Sequence, residues 1–103
     1  MRGSRLGLLT PVVVLLGALG TAPATAHGDP IDAAFLAALT SKHIQYPTPE
    51  AALNAAREVC GELGAGRSQN DVVGDVMKSS NLDGYHAGYF VGASISAYCP
   101  NFA

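Results

Sequence analysis

Residues 48–64 read Thr-Pro-Glu-Ala-Ala-Leu-Asn-Ala-Ala-Arg-Glu-Val-Cys-Gly-Glu-Leu-Gly, and this stretch decides the fold. Thr48 is an N-cap whose hydroxyl can take one of the amides that a helix start leaves unpaired. Pro49 at the first helical position has no amide to leave unpaired, and Glu50 meets the positive end of the helix dipole. Leu53, Ala56, Cys60 and Leu63 then recur at helical spacing to form one apolar stripe. Gly64, with Ala65-Gly66 behind it, stops the helix. The stretch is an amphipathic helix with a cysteine on its buried face.

The same grammar extends outward in both directions. Upstream, Asp29 caps, Pro30 starts and Asp32 occupies the third position of a helix whose apolar residues are Ile31, Phe35 and Leu39. Lys42 and His43 fall in its last turn, where cations suit the dipole, so it should end near His43. Ile44-Gln45-Tyr46-Pro47 is a connector, extended before the proline. Downstream, Ser68 caps a short helix with Asp71 at the capping-box position. Its apolar face is Val72, Val73, Val76 and Met77, and Ser79-Ser80-Asn81 breaks it. A last helix starts near Asp83 and runs to Tyr98 or Cys99, stopped by Pro100. It is apolar or small nearly all round, which predicts a central, buried position. No alternating run suggests a strand. The expected fold is all-α: a small bundle of about four short helices, stapled by one disulfide.

Gly84, Gly88 and Gly92 recur every four residues in this last helix. Each interior glycine costs roughly 0.5–1 kcal/mol relative to alanine, and close backbone packing is the compensation expected. On a helical projection with Cys99 at zero the stripe falls on the Cys99 side. This predicts a tight contact with the Cys60 helix, the two helices running roughly the same way.

The N-terminus is of another kind. Arg2 and Arg5 precede an apolar run from Leu6 to Leu19, and Ala24-Thr25-Ala26 has the form of a cleavage site. This is a signal peptide over residues 1–26, too short and too broken by Pro11 for a membrane span. No cysteine lies near the cleavage site to be acylated, so no stable membrane anchor is expected after cleavage. Residues 27–103 would form a single domain, secreted into the extracellular space or the cell envelope. In that oxidising compartment Cys60 and Cys99, the only two cysteines, permit one pairing. Its loop of about 40 residues would stabilise the domain by roughly 4 kcal/mol.

Charge narrows the function. Beyond residue 26, four basic residues (Lys42, Arg57, Arg67, Lys78) face eight acidic ones, a net charge of −4. Four scattered cations offer no footprint for nucleic acid and no polybasic patch for anionic lipid.

Several of these residues form a recognisable set. They are Asp32, Phe35, Leu36 and Leu39; Ala56 and Cys60; Gly66, Ser68, Asp71 and Val72; and the terminal Tyr98-Cys99-Pro100. Together with the signal peptide the pattern resembles the small secreted actinobacterial, mainly mycobacterial, proteins grouped as domain of unknown function 732, over nearly all of residues 29–100. The resemblance implies fold and compartment. It implies no activity, substrate or catalytic residue, because the family has none assigned. The glycines of the last helix are a departure, since alanines and leucines are usual there.

Chemistry-bearing motifs are sparse. His27, as a mature N-terminus, could bind copper or nickel weakly, but reads as a chain end. His43 reads as a helix-end cation. Tyr85, His86, Tyr89 and Phe90 cluster at the start of the last helix and could line a small apolar pocket. His86 and its tyrosines lack any diagnostic ligand spacing, so no cofactor and no metal is called for. Asp71 and Asp75, four apart, read as a solvated face. The sequence has no nucleophile elbow, no paired-histidine metal motif and no phosphate-binding loop. The expected function is therefore a non-enzymatic module that binds an unidentified protein or envelope component. The alternative is a carrier of a small apolar ligand such as haem or lipid. An enclosed cavity of several hundred Å³ would mark a carrier; a filled core under an open apolar surface would mark a module.

Overall fold

The structure, a computed structural model, describes residues 29–103; the expectation of a signal peptide over residues 1–26 lies outside them. The described residues form four helices, α1 (Pro30–Ser41), α2 (Pro49–Gly64), α3 (Gln69–Ser79) and α4 (Gly84–Tyr98), followed by a 3₁₀ turn at Pro100–Phe102. Among the described residues there is no strand. The fold is the all-α bundle expected.

Side-chain caps start three of the helices. The Thr48 hydroxyl accepts the Ala51 amide at 3.1 Å, the Ser68 hydroxyl accepts the Asp71 amide at 3.1 Å, and Asp83 accepts the His86 amide at 2.8 Å. Each removes one unpaired donor from a helix start.

Two helices end in the same way, and at one of them the sequence reading needs correction. After α1, His43 is not in the last turn. It lies beyond the helix with φ 57°, in the left-handed region. The Ile44 amide donates to the Leu39 carbonyl at 2.9 Å and the His43 amide to the Thr40 carbonyl at 3.0 Å. This is a Schellman closure with histidine where glycine is usual, and buried Ile44 and Leu39 supply its apolar contact. The left-handed conformation costs a non-glycine residue roughly 1–2 kcal/mol. After α2 the left-handed residue is Gly66, φ 97°, with the Arg67 amide on the Glu62 carbonyl at 3.0 Å.

The core joins Phe35 and Leu39 of α1, Leu53, Ala56, Val59 and Leu63 of α2, Val72 of α3, and Phe90, Val91 and Ile95 of α4. Phe35 meets Phe90 edge-on at 5.7 Å and Tyr98 at 5.5 Å between ring centroids. Two polar side chains are buried. Ser94 returns its hydroxyl to the Phe90 carbonyl at 2.8 Å, and Asp32 accepts a short hydrogen bond from the Tyr98 hydroxyl, tying the start of α1 to the end of α4. Ile31 and Met77, placed on apolar faces by periodicity, are exposed.

Cys60 and Cys99 form a disulfide with Cα atoms 5.9 Å apart, and α2 packs against α4. The glycine stripe has no part in that contact. A Cβ added at Gly84, Gly88 or Gly92 would meet no heavy atom within 4 Å. The buried face of α4 is Ala87, Phe90, Val91, Ser94 and Ile95, while Gly84 and Gly92 are exposed. The projection failed at its reference point. Cys99 is the C-cap, with φ −148° and ψ 61°, so its side chain does not mark a helical face. α4 is thus central in its packing against α2 and α3 but has one solvent-facing edge.

Candidate functional site

The four residues singled out on α4 separate. Phe90 enters the core. Tyr85 is 65% exposed. Its hydroxyl lies 3.3 Å from the Lys42 ammonium, which also stands 5.3 Å from the Tyr89 ring centroid. His86 turns to its own cap, with Nδ1 2.8 Å from an Asp83 oxygen. Hydrogen bonds from the His86 amide and then its ring hold the Asp83 carboxyl below its usual range. Tyr85 and Tyr89 therefore meet Lys42 just past the end of α1, His86 stays with its own cap, and Phe90 alone of the four lines a cavity.

That cavity is a cleft of about 530 Å³, open to solvent on one side. It lies between the α1–α2 connector, one face of α2, the end of α3 and the loop before α4. Tyr46, Ala55, Val76 and Leu82 supply its accessible apolar surface, with the buried Leu39, Val59 and Phe90 beneath them. The connector forms one edge because the Schellman closure at His43 turns the chain there. Pro47 and the Thr48 cap then fix where α2 begins.

Its opposite wall carries Glu58 and Glu62 of α2 and Asp75 of α3. The geometry follows from the corner between the two helices. Gly66 closes α2 and puts Arg67 back over Glu62, and Ser68 starts α3 at once. The Arg67 Nη1 atom then reaches Asp75 at 2.9 Å and Glu62 at 3.5 Å, while Nε lies 3.9 Å from Asp71. A hydrogen bond shared with Asp75, together with desolvation and the like charges of Asp75 and Glu58, raises the Glu62 carboxyl above its ordinary value. The same bond, with Arg67, lowers Asp75. The Glu62 Oε1 atom is buried without a hydrogen-bond partner, its ion-pair approach to Arg67 being 3.5 Å. The expected solvated pair Asp71–Asp75 is not what forms: Asp75 is only 33% exposed and pairs across the corner. The sequence reading did not single out this wall, although one signal for it was present. Glu58 and Glu62 stand at i and i+4, like charges on one helical face. The contribution of α3 had no local signal.

Among the described residues no three His, Cys, Asp or Glu side chains are disposed to hold a metal ion, and no helix is long and apolar enough to cross a membrane.

With this geometry in view, the likenesses to known proteins can be placed. The family described as "Protein of unknown function (DUF732)" matches residues 31–101. An uncharacterized protein of Mycobacterium bovis is 34% identical over 89 residues, covering 84% of this chain and 79% of its own. An uncharacterized protein of Mycobacterium tuberculosis is 37% identical over 94 residues, covering 91% of this chain and 84% of its own. No solved structure matches the chain. The match spans all four helices and both cysteines, and the chain belongs to the DUF732 family of proteins of unknown function.

Proposed function

We propose that the protein is a secreted, non-enzymatic interaction module of the cell envelope or extracellular space, with the cleft as its binding face. The observation that carries this reading is an open apolar cleft over a filled core. A carrier of haem or lipid needs to enclose its ligand, whereas this cleft is open along one side. The carboxyl pair does not argue for hydrolysis, because Glu62 and Asp75 share a hydrogen bond instead of flanking a space where a substrate bond could lie. The Cys60–Cys99 disulfide fits an oxidising compartment.

Photo-crosslinking tests the binding face. A photoreactive side chain is placed at Ala55, inside the cleft, or at Gly92, exposed on α4, and the purified protein is exposed to envelope extract. Discrete protein adducts from position 55 and none from position 92 are expected. Equal labelling from both positions, or adducts at 55 of small-molecule mass only, would refute the module reading.

A further inference from the structure

The cleft is unevenly charged. No lysine or arginine lines it, whereas Glu58, Glu62 and Asp75 share one wall. Arg67 reaches Glu62 and Asp75 of that wall, and no ion pair among the described residues joins a cation to Glu58. Of the other charged groups nearby, Asp71 contacts Arg67 from the far side and Lys78 acts on Asp75 only through its field. The like charges of Asp75 and Glu58 raise the Glu62 carboxyl, and the opposing effect of Arg67 does not cancel them. The floor beside it is aliphatic and aromatic.

At the opposite edge, the backbone N–H and C=O groups of Gln45 and Tyr46 make no hydrogen bond to other backbone among the described residues. Both residues line the cleft in a connector without regular structure. A main chain lying along that edge would find donors and acceptors there, which a detached organic cation could not use.

We propose that the cleft receives a short segment of a partner protein in which apolar side chains stand next to lysine or arginine. The apolar groups would lie on the partly exposed Tyr46, Ala55, Val76 and Leu82, and the cation against Glu58 and Asp75. This rests on the cleft being the binding face, and the test separates the two claims.

Three fluorescein-labelled hexapeptides serve as probes, each with a Leu-Leu centre flanked by lysines, by glutamines or by glutamates. Binding to the purified protein is followed by anisotropy. Partly exposed ion pairs are individually weak, so two lysines should tighten binding about fivefold over glutamine at low salt, and added salt should narrow the gap. Glutamate should weaken binding. Glu58→Gln, at an exposed position, should reduce the lysine preference, and Ala55→Trp should abolish binding of every probe. Equal binding of all three probes, lost in Ala55→Trp, would leave the cleft as binding face and overturn the charge inference. Binding untouched by Ala55→Trp would place the probes elsewhere and overturn it too. No binding of any probe would overturn the proposed occupant.

Discussion

Ala87 and Gly88 are neighbours on α4, and the structure assigns them opposite responses to added volume. Ala87 has no exposed surface. Three more heavy atoms at that position must displace core neighbours, and overpacking of this kind costs about 1–3 kcal/mol. Gly88 is different: a Cβ there meets nothing within 4 Å, and its backbone is ordinary helix. Gly88→Ala should remove the glycine penalty and stabilise by up to about 1 kcal/mol. In a domain of this size 1 kcal/mol moves Tm by roughly 4–8 °C.

The ordering expected is Gly88→Ala above the parent protein and Ala87→Leu below it. Thermal melts and urea titrations of the three proteins, with the disulfide intact, measure it. Gly88→Leu serves as a control for size, because its longer side chain can lean along the solvent-facing edge of α4. Its Tm should stay near that of the parent. If Gly88→Ala lowers Tm while Ala87→Leu leaves it unchanged, the glycine edge is a packed contact after all and the assignment of the buried face of α4 is wrong.

Three further outcomes are expected. Tyr98→Phe leaves the buried Asp32 carboxyl without its hydroxyl donor and should cost about 1–3 kcal/mol, more than Asp32→Asn, which keeps an acceptor; equal losses on urea titration would contradict this. Reducing the Cys60–Cys99 bond should lower stability by about 4 kcal/mol, and thiol titration of the denatured, unreduced protein should find no free thiol. The third concerns pH. Glu62 is raised in the folded state, so its contribution is complete below its ordinary value of 4.5 and disappears as pH rises through the folded value. Asp75 and Asp83 are lowered, so theirs is present above 3.8 and disappears as pH falls through the folded values. Glu62→Gln should therefore flatten only the decline of Tm on the higher-pH side, and an unchanged pH profile would show that the Glu62 carboxyl is not raised by folding.

Helix starts were legible because each is written in two or three adjacent residues. Thr48-Pro49-Glu50 and Ser68 with Asp71 specify their caps locally, and the structure places them accordingly. Helix ends were less so. A left-handed residue is readable when it is glycine, as at Gly66, but His43 adopts the same conformation because the contact between Leu39 and Ile44 rewards the turn. That contact is local, five residues apart, but without glycine at the turn its apolar pair is a weak signal. The inner face of α4 was misread because a helix of small residues gives periodicity little contrast, and the cysteine used to orient it sits outside helical geometry. Tyr85, His86 and Tyr89 share the first turns of α4, and the sequence reading made them a candidate pocket lining. Their destination at the surface depended on Lys42 and on the Asp83 cap.

The residues that carry the family resemblance and the residues that line the acidic wall are different sets, with different physical work. Asp32, Phe35, Leu39, Ala56 and Val72 are buried, Cys60 and Cys99 are bonded to each other, Ser68 caps, and Tyr98 ties α4 to α1. All of them serve the scaffold. Glu58, Glu62 and Asp75 add nothing to the core, and the wall exists only because Gly66 and Ser68 make the α2–α3 corner tight enough for Arg67 to span it. The scaffold markers therefore specify a cleft without specifying its charge. Two proteins sharing every marker could present clefts of opposite sign by changing three side chains on the rim, at little cost to stability, since rim charges are partly exposed. On the proposed reading, the scaffold would set the shape of the cleft and the rim side chains would select its occupant.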